Sequence, residues 1–217
     1  QYMLRTQSKE ALAWLHCKHF QRKIDSESIR NQLFFADEEL QEIRDKFELR
    51  EPFAVICPES KTSYTPNKAW LDKGFQKVLK KTPKILWVQV GESESPFSEK
   101  VISLQGRTTL RELCGIIALS DFTLSCEGLI NHMASAFPTV LSFVVMSGFT
   151  PVDHIQYPNT IAITREPQVE CAPCWLLTPC SKERKWCTDE ISAEQVVKVI
   201  QDNLANSKKN HNRLRII

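Results

Sequence analysis

Short apolar segments that alternate with helical stretches constrain the fold of this 217-residue chain more than any other feature. Six segments have the length and β-branched composition of buried strands: residues 53–58, 84–91, 101–105, 122–126, 139–146 and 159–164. Alternation of strands and helices predicts a parallel sheet, because each crossover places a helix against the sheet. The handedness of such crossovers then favours a doubly wound arrangement with helices on both faces. The predicted fold class is therefore α/β, with a Rossmann-like parallel sheet.

Helices are predicted where apolar residues recur at helical spacing behind a capping side chain. Ser8 and Thr108 each precede such a stretch, and either hydroxyl can accept a hydrogen bond from the first helical turn. Another loop and helix are predicted directly after the strand at 122–126. The remaining predicted helices cover residues 8–24, 37–47, 70–81, 108–120 and 192–205.

The charge and hydropathy of the chain exclude some classes of partner. A formal net charge of +2 is too small to indicate a nucleic-acid or membrane partner by electrostatics alone. The longest apolar run, residues 140–146, is far shorter than a membrane-spanning helix. No signal peptide is recognisable, so we expect a cytoplasmic location, and a start at Gln1 is what we expect of a fragment or a trimmed chain.

Four of the eight cysteines fall in one short segment near the end of the chain. They have the spacing C-x2-C-x5-C-x6-C and are Cys171, Cys174, Cys180 and Cys187. Four thiolates brought together suit a tetrahedral Zn²⁺ or Fe site. Because four protein ligands leave no open coordination position for substrate, such a metal would be structural.

Two disulfides in this loop are the alternative to a metal, but a bridge between partners two residues apart is strained. We expect the cysteine segment, residues 171–187, to join the last strand to the closing helix and to anchor the loop after Pro158. The other cysteines lie singly in apolar or amphipathic segments and are predicted to be buried: Cys17, Cys57, Cys114 and Cys126.

Polar side chains fill the predicted loop that follows the first strand. Ligands of open parallel sheets bind outside the carboxyl ends of the strands, so a site is expected in the loops at 58–69, 91–98, 126–132 and 147–157. The first loop places hydroxyls and lysines ahead of a helix start: Ser60, Lys61, Thr62, Ser63, Thr65 and Lys68. Free backbone N–H groups and the helix dipole favour an anion such as phosphate there. An ordinary solvated loop is the alternative.

The segment after the strand at 122–126 is a second candidate for ligand binding. Gly128 is expected to let the backbone turn sharply, and Glu127 can accept a hydrogen bond from a ribose hydroxyl. His132 is expected in the first turn of the following helix, where a structural hydrogen bond is the alternative to a chemical role. No Ser-His-Asp, HExxH or P-loop spacing occurs in the sequence.

Several short motifs follow one another in a definite order. They are Lys68-Ala69-Trp70, residues 108–113 (TTLREL), residues 117–121 (IALSD), Glu127-Gly128 with His132-Met133-Ala134, Cys171-Ala172-Pro173-Cys174, and residues 191–196 (ISAEQV). In this order and spacing they resemble the C-terminal half of the family 9 glycosyltransferases. That family comprises the ADP-heptose-dependent heptosyltransferases of lipopolysaccharide assembly and of autotransporter glycosylation. The resemblance covers residues 50–202.

The resemblance implies the donor-binding domain of a GT-B enzyme that transfers a sugar from a nucleotide-sugar with inversion and without a catalytic metal. It implies a helical connecting segment at 1–49, a nucleotide-sugar-binding domain with the cysteine segment at 50–205, and a basic tail at 206–217. The implied partners are a donor such as ADP-heptose and a lipopolysaccharide-core or protein acceptor, but no nucleic acid. Peripheral association with the inner face of the inner membrane is a further expectation.

The resemblance also implies which residues bind the nucleotide-sugar: Ser63, Thr65, Lys68, Glu92 or Glu94, Glu127, Gly128 and His132. Lys68 is given the catalytic role, because a cation there offsets the charge that grows on the leaving diphosphate. A hydroxyl of the same loop would assist it. The loop at 127–132 would surround the ribose and diphosphate, and the acid after the second strand would meet the adenosine.

Two features depart from the family pattern. Leu129 stands where the family has a glycine two residues after the acid, a position of close backbone approach to phosphate. The family's N-terminal domain, which carries the catalytic base, is not among these residues. A catalytically degenerate binding or scaffold protein with the same fold is therefore the alternative. A zinc-ribbon nucleic-acid module fits the CxxC pair, but not the small net charge.

Overall fold

The computed structural model describes residues 30–50, 52–70, 72–92 and 101–210. The predicted helix at 8–24 with Cys17, the acid Glu94 and the end of the basic tail lie outside the described residues. Within them, the chain forms one six-stranded parallel sheet with helices on both faces. The predicted α/β fold class is confirmed at this level.

The sheet has the strand order β3-β2-β1-β4-β5-β6, and every neighbouring pair is parallel. The chain therefore builds outward from β1 in one direction, returns to the centre and builds outward from β4 in the other. The strands are β1 (Ala54–Cys57), β2 (Trp87–Gln89), β3 (Ile102–Ser103), β4 (Phe122–Cys126), β5 (Leu141–Val145) and β6 (Thr160–Ile163). All six predicted strands are present, although the strand predicted at 84–91 is reduced to three residues.

Six α-helices are described: α1 (Asp37–Lys46), α2 (Asp72–Lys81), α3 (Leu110–Leu119), α4 (Leu129–Ala134), α5 (Trp186–Asp189) and α6 (Ala193–Asn210). Helix α3 shows how its sequence sets its start. The side chain of Thr109 accepts a hydrogen bond from Glu112 N, and the Glu112 carboxylate accepts one from Thr109 N. This capping box makes Thr109 the cap, so the prediction of Thr108 was wrong by one residue.

Two apolar layers hold the helices to the sheet. On one face, residues of α2 and α6 pack around a ladder of edge-to-face rings formed by Trp87, Phe122 and Phe143. On the other face, α1, α3 and α4 cover strand residues such as Val55 and Val88. Helix α1 thus belongs to the body of this domain instead of forming a free connecting segment. None of the helices in the described ranges is long and apolar enough to span a membrane.

Candidate functional site

The centre of the sheet creates a crevice at its carboxyl edge, because the chain leaves β1 and β4 toward opposite sides. Open α/β sheets bind ligands at this switch point. The loop after β1 brings Lys68 there, and the loop after β4 brings Glu127. The ammonium Nζ of Lys68 lies 2.7 Å from Oε1 of Glu127, and the two side chains are 19% and 3% exposed. The structure therefore joins the two residues that the sequence singled out in separate loops.

A short 3-10 turn, Pro66–Lys68, positions the lysine. The Thr65 side chain caps this turn by accepting a hydrogen bond from Asn67 N, and Pro66 supplies the fixed backbone angle favoured at a helix start. Two residues further on, Trp70 N donates to the Sγ of Cys126 at 3.2 Å. The turn is thereby fixed to the end of β4, immediately before the acid that Lys68 contacts.

Aromatic rings surround the lysine above this contact. Its Nζ lies 4.9 Å from the ring centroid of Phe149 and 5.6 Å from that of Tyr64. Rings at these distances attract a cation through their negative faces. Phe149 belongs to the loop after β5, so three loops of the carboxyl edge converge on Lys68. Phe149 was missed in the sequence, because an aromatic residue in that apolar loop is equally typical of a core.

One carboxylate oxygen of Glu127 accepts no hydrogen bond from the described residues. Its Oε1 pairs with Lys68, whereas Oε2 is buried and has no hydrogen-bond partner among the described residues. A buried carboxylate oxygen without a donor is costly and unusual in a native fold. An incoming hydroxyl donor would remove that cost.

Gly128 follows with extended backbone, φ 163°, which any residue can adopt. The backbone bends at Glu127 and Gly128, as predicted, but the backbone conformation of Gly128 does not require a glycine. A Cβ added at Gly128 would meet nothing within 4 Å, so the absence of a side chain leaves open space beside Glu127. The neighbouring Leu129 is 52% exposed at the start of α4.

His132 lies on α4, with its Nδ1 2.7 Å from the hydroxyl of Tyr157. Burial lowers the pKa of His132, the Lys68 charge lowers it further, and the Glu127 carboxylate opposes both effects. The imidazole is therefore neutral near pH 7. The structural hydrogen bond considered for His132 is present, and the second ring nitrogen remains for another partner.

The other predicted nucleotide-binding residues are distributed unequally. Ser63 is exposed in the loop after β1. Thr65 is fully buried, and its hydroxyl donates to the carbonyl of Leu176 at 2.8 Å while it caps the turn. Its hydroxyl therefore holds the loop in place instead of facing a ligand, which corrects the expectation of direct binding. Glu92 is exposed at the end of the segment after β2.

Glu59 organises the segment before Glu92 and was missed in the sequence. Its carboxylate accepts hydrogen bonds from Glu92 N and from the side chain of Gln105, each at 2.8 Å. Gly91 has φ 148°, and an added Cβ would lie 2.6 Å from the Glu59 carboxylate, so only glycine fits there. The sequence offered no means of pairing Glu59 with residues over thirty positions away.

The cysteine segment contains four free thiols that line one cavity of about 110 Å³. Burial raises the pKa of Cys174, and the thiols of Cys187, Cys171 and Cys180 raise it further, so each of these three lies within electrostatic range of Cys174. In the part of the chain described, no group of three or more Cys, His, Asp or Glu is compact enough to hold a metal ion. The tetrahedral metal site therefore stays a prediction.

The remaining described cysteines behave as predicted, since Cys57, Cys114 and Cys126 are buried. Burial raises the pKa of Cys57 to about 12. The Cys57 thiol is therefore inert at neutral pH, because the thiolate is the reactive form. The described cysteines that are exposed or half-buried all lie in the segment at 171–187.

The cysteine segment lies directly against the turn that carries Lys68. The side chain of Asn67 donates to the carbonyls of Leu176 and Thr178 and accepts from Cys180 N. Lys185 Nζ donates to the carbonyl of Ala69 at 2.9 Å. The sequence predicted that this segment anchors the loop after Pro158 against the body of the domain, and these contacts join the segment to the loop after β1 of that body.

Comparison of the sequence with protein-family models and with curated proteins finds no match. Comparison of the fold with solved structures does. The chain is similar to a family 9 glycosyltransferase from Veillonella parvula, with a TM-score of 0.68 and 15% identity over 92% of this chain and 62% of that one. It is similar to the ADP-heptose lipopolysaccharide heptosyltransferase II of E. coli, with a TM-score of 0.62 and 15% identity over 82% and 54%.

A third similar structure is the dodecameric, iron-containing heptosyltransferase TibC in complex with ADP-D-β-D-heptose. Its TM-score is 0.60, with 15% identity over 73% of this chain and 46% of that chain. The described residues thus have a fold like that of the family 9 heptosyltransferases. The chain spans about half the length of the solved structures it matches.

Proposed function

We propose that this chain is the donor-binding portion of a glycosyltransferase. Two observations support the proposal: the fold is like that of the family 9 heptosyltransferases, and Lys68 pairs with Glu127 at the switch point of the sheet. The donor is a nucleotide-sugar of the ADP-heptose type. The sugar passes with inversion to a lipopolysaccharide core or to a protein. The reaction needs no catalytic metal.

The observation that carries the proposal is the unpartnered Oε2 of Glu127. A buried carboxylate oxygen that lacks a donor matches a ligand that supplies one, and a ribose hydroxyl is such a donor. The acid stands after a central strand of an open α/β sheet, where nucleotide ligands bind. The open space beside Gly128 leaves room for the nucleotide-sugar next to Glu127.

Lys68 supplies the positive charge that the diphosphate requires. In the structure its charge is balanced by Glu127, and the surrounding rings of Phe149 and Tyr64 keep the ammonium in place. When the bond from the sugar to the diphosphate breaks, negative charge grows on the leaving oxygen. A fixed cation stabilises that charge more than it stabilises the ground state, which lowers the barrier.

His132 acts as a neutral hydrogen-bonding group in this proposal. The lowered pKa keeps it uncharged near pH 7, and Tyr157 occupies its Nδ1. Its other nitrogen is available to the diphosphate or the ribose. Ser63 and Glu92 are exposed on the same edge and are proposed to contact the diphosphate and the adenosine, respectively.

The acceptor hydroxyl forms the new bond to the anomeric carbon while the bond to ADP breaks, and its proton goes to a carboxylate base. By the resemblance, that base belongs to an N-terminal domain outside these residues. The whole reaction therefore requires residues beyond this chain. The portion described here binds the donor and stabilises its leaving group.

The four cysteines are proposed to hold a structural Zn or Fe ion. All four thiols line one cavity, and a set of four thiolates is the donor set that either ion prefers. The ion would order the segment at 171–187 and would leave no position for substrate. Metal analysis of the purified chain tests this, and a metal content near zero with disulfides by mass spectrometry contradicts it.

The test of the donor site is the change in melting temperature caused by ADP. At a ligand concentration one hundred times Kd, binding stabilises the chain by about 2.7 kcal/mol, which raises the melting temperature by about 5–10 °C at this size. Lys68→Ala should abolish the shift. Lys80→Ala, which removes an exposed lysine on α2, is the matched control and should keep it. A wild-type chain without a shift at millimolar ADP contradicts the proposal.

A catalytically inactive binding protein with this fold is the second candidate, and Leu129 favours it. The residue replaces the glycine of the family pattern and is 52% exposed beside Gly128. A branched side chain there reduces the space through which a diphosphate can reach the start of α4. Leu129→Gly should strengthen ADP binding if the site is a working donor site, whereas a protein that has kept the fold and lost the donor site binds no ADP with either residue.

A further inference from the structure

At the boundary between the donor site and the cysteine segment, both the amide nitrogen and the amide oxygen of Asn67 form hydrogen bonds. It is 4% exposed. Its amide nitrogen donates to the carbonyl of Leu176 at 2.7 Å and to that of Thr178 at 2.8 Å. Its amide oxygen accepts from Cys180 N at 3.0 Å. Both donor hydrogens and the oxygen therefore point into one segment, more than a hundred residues further along the chain.

Two other residues also form hydrogen bonds between the turn that carries Lys68 and the cysteine segment. Thr65, which caps the same turn, donates its hydroxyl to the carbonyl of Leu176 at 2.8 Å. From the opposite side, Lys185 Nζ donates to the carbonyls of Ala69 and Pro66 at 2.9 and 3.3 Å. The turn at 65–69 is thus bonded to the cysteine segment both before and after Lys68.

The partners of Asn67 lie between two of the four thiols. Leu176 and Thr178 are in the short stretch from Cys174 to Cys180, so a movement of these cysteines would shift the carbonyls that Asn67 binds. Asn67 and Lys68 are consecutive residues of one three-residue turn. A displacement of Asn67 therefore displaces the backbone that carries Lys68.

We infer that Asn67 is a positioning residue that couples the cysteine segment to the donor site. Through it, the state of the four thiols sets the affinity of Lys68 and Glu127 for a nucleoside diphosphate. By thermodynamic linkage, a bound nucleoside diphosphate strengthens the hold of the thiols on a metal ion by the same factor. The inference rests on the proposed donor site and extends it to a regulatory contact.

The test is a titration of ADP into the full chain by calorimetry, in a Zn²⁺-loaded and a chelator-stripped form. Wild type should bind ADP at least about fivefold more weakly after stripping, the lower end of typical coupling factors. In Asn67→Ala the two forms should bind ADP with the same Kd, within about twofold. Asn203→Ala, which removes an amide on α6 that donates to the carbonyl of Val199 in the same helix, is the control and should retain the wild-type difference.

A second variant and a second measurement guard against loss of folding or of metal. Lys185→Met breaks the junction from the cysteine segment and should reduce the difference in Kd without touching Asn67. In the metal-free chain, ADP should slow the reaction of the four segment thiols with a thiol reagent. That protection should disappear in Asn67→Ala.

The possible failures are distinct. A wild-type chain that binds ADP equally in both metal states, with unchanged thiol reactivity, overturns the coupling and leaves the donor site intact. A wild-type chain that binds no ADP in either state overturns the donor site itself. Coupling that persists undiminished in Asn67→Ala and Lys185→Met removes the positioning role of this junction.

Discussion

The sheet and the cysteine segment are built on opposite principles. The four inner strands, β2, β1, β4 and β5, are almost wholly buried. Their apolar side chains form continuous layers with the helices on either face. Between residues 164 and 190, in contrast, Thr188 is the single buried residue, and the only helix has four residues. The segment is ordered by polar contacts to its neighbours and not by a core of its own.

This difference explains why the two regions meet where they do. The sheet places the loops that carry Lys68 and Glu127 at its carboxyl edge. The turn that carries Lys68 nevertheless lies under the cysteine segment and is bonded to it. The sheet is therefore the rigid part of the site, whereas the position of the turn that carries Lys68 also depends on the less stable cysteine segment. Ligand-binding loops are commonly of such lower stability.

The largest effect should come from the sheet. Phe143 is fully buried at one end of the ring ladder, where it packs against Phe122. Phe143→Ala should lower the free energy of unfolding by about 3–5 kcal/mol, because it leaves a cavity that the sheet cannot close. Leu177→Ala, at an exposed position of the cysteine segment, is the control and should cost less than about 0.5 kcal/mol. Urea unfolding measures both, and equal effects would refute the contrast between the regions.

Breaking the ion pair at the boundary should have the next largest effect. Lys68→Met leaves Glu127 buried without its partner, which should cost about 2–3 kcal/mol, below the range for fully buried pairs because Lys68 is partly exposed. The double variant Lys68→Met/Glu127→Gln should recover part of that loss, because the uncompensated charge is removed. The same unfolding assay tests it, and a double variant as unstable as the sum of the single ones argues against the pairing.

Removing one thiol should act locally. In Cys174→Ser the global free energy of unfolding should change by less than about 1 kcal/mol, since the sheet does not depend on the segment. Backbone hydrogen exchange should instead accelerate at Cys174 and Trp175, whose N–H groups donate to the carbonyls of Gly148 and Phe149. Unchanged exchange there, or faster exchange throughout the strands, would show that the two regions are not separable in this way.

The smallest effect is expected from acidification at His132. Because its folded pKa is lowered from 6.5, the unfolded chain binds more protons below that pH. The contribution of the neutral imidazole to stability is therefore complete above about pH 7 and is lost as the pH falls below 6.5. His132→Gln should flatten this part of the pH profile of unfolding, and an identical slope in both proteins would contradict the lowered pKa.

The parts that followed from the sequence are those with local signals. Strand composition and helical periodicity located the sheet and its helices, and the order of elements was enough to infer a parallel arrangement. The cap of α3 was misplaced by one residue because Thr108 and Thr109 both have the required side chain. Only the reciprocal bond with Glu112 distinguishes them.

The parts that did not follow depend on contacts between distant residues. In the sequence, Asn67 cannot be distinguished from any loop asparagine, or Glu59 from any surface acid. Their hydrogen-bond partners are distant in sequence and lie close to them only in the folded chain. Lys68 and Glu127 were found because each follows a predicted strand, but their 2.7 Å contact needed the strand order that makes β1 and β4 neighbours.

Binding of a nucleoside diphosphate at the carboxyl edge is the central claim, and amide chemical shifts of the isotopically labelled chain on titration with ADP test it most directly. The account predicts that the perturbed amides cluster in the loops at 58–69 and 127–132, and that Lys68→Met removes the perturbation. Perturbed amides confined to the opposite edge of the sheet, or no perturbation at saturating ADP, would contradict it.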